Sequence, residues 1–136
     1  MEPILERDME HLEKVQRTAT KLVKGYWKLP YEERLQRLNL TTIYIRRLRG
    51  DLIETYKIIT GKENMKCEKF FHLYNSEHNT RGHCLKLATT RSRLELRRRN
   101  FFSQRVVSHW NKLPTHVVEA DTVNSFKNRL DKEWGI

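Results

Sequence analysis

Apolar residues recurring at intervals of three and four constrain this chain more than any other feature, because that spacing builds helices. Leu5, Met9, Leu12, Val15, Ala19, Leu22 and Val23 fall on one stripe of a first helix, and Gly25 supplies its stop. Pro30 heads Tyr31-Glu32-Glu33-Arg34-Leu35, a second, short helix. Proline suits the first turn, and acids there complement the dipole. Leu35, Leu38 and Leu40 give it an apolar side. Thr41 and Thr42 offer caps for a third helix running to about Thr60, with Ile45, Leu48, Leu52, Tyr56 and Ile59 as its stripe and Gly61 just past its end. Gly50 inside that helix costs roughly 1 kcal/mol against alanine, which a close helix crossing would explain.

The period changes in the middle of the chain. Met65 to Tyr74 reads as a short helix around Phe70, Phe71 and Leu73, and Asn75 to His83 is polar and turn-rich. Leu85 and Leu87 alternate with Lys86, as Leu94 and Leu96 do with Glu95 and Arg97, with Thr89-Thr90 between them. That alternation gives room for a two-stranded hairpin near residues 84–98, supported by the helices around it. From Asn100 the helical period returns: Phe102, Val106, Trp110 and Leu113 share a stripe ended by Pro114. A short turn with Val117 and Val118 follows. Asp121 or Thr122 then caps a last helix with Val123, Phe126, Leu130 and Trp134 on its apolar side. The expectation is a mainly α domain of about five helices over residues 1–136, with a short β-hairpin as an optional addition.

With 136 residues, 38% apolar and 32% charged, the chain is long enough for a real but thin core and is not of disordered composition. Its charge points further. Lys and Arg number 27 against 17 acids, a net charge of +10, which favours polyanionic partners and says little about fold. The charge is also uneven. Residues 91–112 hold Arg91, Arg93, Arg97, Arg98, Arg99, Arg105 and Lys112 against Glu95 alone, and several cations within one footprint are what phosphate contacts need. Arginine forks pair bidentately with phosphate, and the neighbouring rings of Phe101 and Phe102 are of the kind on which bases stack. Phe102 and Trp110, however, fall on the apolar stripe and are expected in the core. Arg46, Arg47 and Arg49 make a second, weaker basic patch, blunted by the nearby Asp51 and Glu54.

Other chemistries find little support. Cys67, His72, His78, His83 and Cys84 share one window, and four residues separate Cys67 from His72 and His78 from His83. That spacing is permitted for zinc but matches no standard ligand pattern, so no metal is expected. The sequence has no nucleophile elbow, no phosphate-cradling glycine loop and no carboxylate cluster for two metal ions, so neither a catalytic residue nor a cofactor is expected. No apolar run approaches a membrane span, and the acidic amino end lacks a signal-peptide core. Two cysteines make no disulfide framework. The expected setting is a reducing intracellular compartment, nucleus or cytoplasm.

Six stretches in order carry a family resemblance: Leu12–Thr20, Tyr31–Leu40, Arg46–Ile58, Thr80–His83, Asn100–Pro114 and Ser125–Asp131. Together they resemble the tail of jockey-like and chicken-repeat non-LTR retrotransposon polyproteins, from about residue 10 onward. In that family the tail follows the reverse transcriptase palm and thumb. The resemblance implies assistance to template binding or target-primed reverse transcription, without catalysis, since neither the paired palm aspartates nor an endonuclease has a counterpart here. The Cys/His knuckle of some related elements is not reproduced either. The functional expectation is a non-catalytic domain that binds the backbone of RNA or DNA. The alternatives are a host-adapted protein-interaction module, which brings a protein partner, and a degenerate element remnant with no selected role.

Overall fold

A computed structural model of the protein describes residues 6–64, 71–74, 81–88 and 105–136. Among them are six helices, α1 (Glu6–Lys21), α2 (Tyr31–Arg37), α3 (Ile43–Ile59), α4 (Val107–Asn111), α5 (Thr115–Val118) and α6 (Val123–Trp134). The chain divides into two compact units, Met1–Arg49 and Gly50–Ile136, so the mainly helical architecture is built from two centres of packing.

In the first unit α1 packs on α2, and it does so with an unexpected face. Leu12 is 46% exposed, Val15 66% and Leu22 83%. The apolar stripe read from the sequence therefore lies outward. What turns inward is the polar row Glu13, Gln16 and Thr20, at the same three-four spacing. Glu13 accepts a hydrogen bond from the Tyr31 hydroxyl and another, 2.9 Å long, from the Ile43 backbone N–H at the start of α3. It thereby satisfies a donor that a helix start leaves open. Gln16 donates to the Thr41 carbonyl and the Tyr31 hydroxyl, both at 3.0 Å. Desolvation, and then the neighbouring Glu13, raise the Tyr31 pKa above its ordinary value. Thr42 caps α3 locally, its hydroxyl accepting from the Ile45 N–H.

Arg34 completes this polar frame. It is buried, and its guanidinium donates to the Thr20 hydroxyl and to the backbone carbonyls of Leu29 and Arg17. Three neutral oxygens in fixed positions suit the planar fork of arginine and would not suit lysine. The apolar share of this core is small, with Leu35 and Leu48 its buried members.

The second unit is conventional. α3 contributes Leu52, Ile53, Tyr56 and Ile58, α4 Val107 and Trp110, α5 Val117 and Val118, and α6 Phe126 and Leu130, all buried. Tyr56 stacks on Phe126 with centroids 4.4 Å apart, and Trp110 lies 6.1 Å from Phe126. Each such ring is worth roughly 1.5–3 kcal/mol of burial, with a further contribution from stacking. The Tyr56 hydroxyl donates to the Ala120 carbonyl, so the ring is anchored at both ends. Thr122 caps α6 by accepting from the Ser125 N–H, and Gly135 closes it in the left-handed conformation at φ 67°, both as the sequence requires.

Two details depart from expectation. Residues 71–74 are not helical; Leu73 forms an antiparallel bridge with Leu87, through Tyr74 N–H to the Lys86 carbonyl and Ala88 N–H to the His72 carbonyl. On the opposite edge the Asn111 side-chain amide accepts from the Leu87 N–H and donates to the Leu87 carbonyl. Among the described residues Leu87 thus meets Leu73 on one edge and Asn111 on the other. Residues 89–98, the rest of the expected hairpin, lie outside the described residues. At Gly50 an added Cβ would meet nothing within 4 Å among the described residues, so no close crossing by a described helix accounts for that glycine.

Candidate nucleic-acid interface

The arginines singled out in the sequence divide into three groups. Arg91, Arg93, Arg97, Arg98 and Arg99 lie outside the described residues, as does Phe102. Arg105 does not stand free for phosphate: its Nε and Nη2 donate to the two carboxylate oxygens of Asp51 at 2.7 and 2.9 Å. These two side chains are only 20% and 13% exposed, so the bidentate pair is a structural clamp within the second unit. Arg105 is accordingly removed from the expected phosphate surface.

The same contact changes the reading of the weaker patch. Asp51 was expected to blunt Arg46, Arg47 and Arg49, but its carboxylate is committed to Arg105, and Glu54 is paired with Lys57 at 2.9 Å. Hydrogen bonding to Glu54 holds the Lys57 pKa above its usual value. Arg46 is exposed, with one Nη2 contact to the Gln16 side chain at 3.2 Å.

Trp110 occupies the core place expected of it, fully buried, with its indole N–H donating to the Leu85 carbonyl at 2.8 Å. Next to it His83 is buried edge-on against the indole, with centroids 5.8 Å apart, and its Nε2 donates to the Trp110 carbonyl at 3.0 Å. Nδ1 therefore carries the lone pair, in a buried position without a hydrogen-bond partner among the described residues. Desolvation lowers the His83 pKa, and Lys86 adds to the effect. Of the Cys/His window, His72 and Cys84 are exposed, while Cys67 and His78 lie outside the described residues. Among the described residues no group of three His, Cys, Asp or Glu side chains is placed to hold a metal ion. No helix among them is long and apolar enough to cross a membrane.

A basic surface that the sequence reading passed over emerges on the first unit. Lys14, Arg17 and Lys21 share one face of α1 by their spacing and are exposed. In the turn that follows, Lys24, Trp27 and Lys28 are exposed as well, with the Lys28 ammonium 4.7 Å from the centroid of the Trp27 ring. The Arg17 guanidinium sits 4.7 Å over the Tyr31 ring. From Lys14 to Tyr31 there is no acidic residue. The signal was present in the sequence, but the apolar stripe of the same helix masked it.

Comparison with protein-family models, curated proteins and solved structures finds no match to this chain.

Proposed function

We propose that the chain is a non-catalytic nucleic-acid-binding domain, akin to the tail of a non-LTR retrotransposon reverse transcriptase, with Arg91, Arg93, Arg97, Arg98 and Arg99 as its principal phosphate contacts. The observation that carries this reading is the imbalance of charge: five arginines in nine residues with Glu95 as the one acid among them. Withdrawal of Arg105 into its clamp with Asp51 narrows the contact set without weakening that concentration. Phosphate contacts position a strand and do not read it, so sequence preference is expected to be slight.

A salt series with single-stranded RNA, single-stranded DNA and duplex DNA tests the proposal. If about four arginines meet phosphates of one strand, log affinity falls against log salt with a slope near −3, at about 0.7 per phosphate. Changing Arg97, Arg98 and Arg99 together to Ala flattens the slope by roughly 2, with helicity unchanged by circular dichroism. The Arg46, Arg47 and Arg49 triple variant should change it less. An unchanged slope and affinity in the Arg97–Arg99 variant would refute the assignment. It would favour the second reading, a protein-interaction module, which the outward apolar stripe of α1 supports.

A further inference from the structure

A tryptophan standing 66% clear of the fold needs an explanation when the charged residues flanking it in sequence, Lys21, Lys24 and Lys28, are all cations. Trp27 sits in the connection between α1 and α2, and that connection is held in shape. The Leu22, Tyr26 and Leu29 N–H groups donate to the Ala19, Val23 and Tyr26 carbonyls at 3.0–3.1 Å, and Gly25 supplies a φ of 86°. The ring is thus presented by an ordered succession of turns. Around it lie Lys24 and Lys28, and leading up to it along one face of α1 run Lys14, Arg17 and Lys21. Isolated surface apolar side chains are ordinary. An exposed indole at the end of a row of five cations with no acid between is not accounted for by helix capping, because only Lys21 lies in the last turn of α1.

Large aromatic faces beside a cationic track are how sequence-tolerant proteins hold single strands: bases stack on the ring and the phosphates follow the cations. An amphipathic membrane-surface element also combines lysine with tryptophan and buries an apolar face along the helix axis, a face that the outward Leu12 and Val15 of α1 could supply, but Trp27 is not part of it. Here Trp27 stands beyond the end of α1, among the lysines of the turn. We infer that Trp27 is a base-stacking platform for a single-stranded nucleic acid, whose phosphates are met by Lys21, Lys24 and Lys28. This second contact rests on the nucleic-acid reading above and gives it a preference for unpaired strands, since a base inside a duplex offers no free face to an indole.

The test uses the full chain with a fluorescently labelled single-stranded oligouridylate RNA, a duplex DNA of equal length and phosphatidylserine-containing vesicles. Trp27→Ala is expected to weaken single-strand binding about tenfold, the lower part of the range for loss of one stacked base. Trp27→Phe should restore most of it, and duplex binding should change little in either variant. Changing Lys21, Lys24 and Lys28 together to Ala should flatten the single-strand salt slope by roughly 2. Tryptophan emission of the unaltered protein should be quenched by the oligonucleotide, and that quenching should be lost in Trp27→Phe. Wild-type affinity in Trp27→Ala, alongside lost affinity in the Arg97–Arg99 variant, would overturn the platform and leave the proposed function standing. No binding of any nucleic acid by the unaltered chain would remove both. Vesicle binding that depends on Trp27 while strand binding does not would reassign the patch to anionic lipid and overturn the inference.

Discussion

Asp51 and Arg105 show how far a residue's role depends on its partner. On charge alone Arg105 belongs with the arginines before it, yet both arms of its fork are spent on one carboxylate. Truncating one member of a mostly buried charged pair strands the other, so Arg105→Ala should lower unfolding stability by roughly 1–3 kcal/mol. It should leave the RNA salt slope as it was. Chemical denaturation and the binding series together check this, and a flattened slope at unchanged stability would return Arg105 to the phosphate surface. His83 and His109 carry the pH dependence. Desolvation lowers both pKa values, assisted by Lys86 at His83 and by Lys112 at His109, while Glu119 and Asp51 respectively pull the other way. A histidine kept neutral in the fold takes up its proton more readily once unfolded. Stability is therefore full above the ordinary value of about 6.5 and falls as pH drops below it, levelling once the folded-state values are passed. Melting temperatures between pH 7.5 and 5 should show that decline, and His83→Gln should blunt it.

At the scale of elements, helix existence was legible in the spacing of apolar residues, and helix ends in the cap residues. Thr42, Gly61 and Thr122 stand where capping physics puts them. The orientation of α1 was not legible, because a periodic stripe says which residues share a face and not what that face meets. Glu13, Gln16 and Thr20 recur at the same interval as the apolar residues, and their partners Tyr31, Arg34, Thr41 and Ile43 are 14 to 30 residues distant. The partners of residues 85–88 were hidden for a related reason. Alternation announced a strand, but its partners are Leu73 and a side-chain amide, and no local pattern marks Asn111 as a surrogate strand. Gly50 provides the test of helix energetics. With open space around it, Gly50→Ala should stabilise the protein by up to about 1 kcal/mol through helix propensity. Thermal unfolding measures this, and destabilisation would mean that the site is closed.

For the whole molecule, composition motivates the class of partner proposed, and topology distributes the charged side chains. Of the candidate site, the concentration of arginines was read in advance and the acid-free run around Trp27 was present but passed over; the clamp on Arg105 required folded neighbours. The uncovered apolar side chains of α1, Leu12 and Val15, and Leu22 just past its end also have a colloidal consequence. At low ionic strength a charge of +10 keeps molecules apart, and repulsion suffices to keep those side chains from meeting. As salt shortens the screening length to roughly 8 Å at physiological strength, that protection shrinks while apolar attraction does not. Added electrolyte therefore pushes the same protein in two directions, off the polyanion proposed for it and toward its own kind, through the face of α1 that its fold leaves bare.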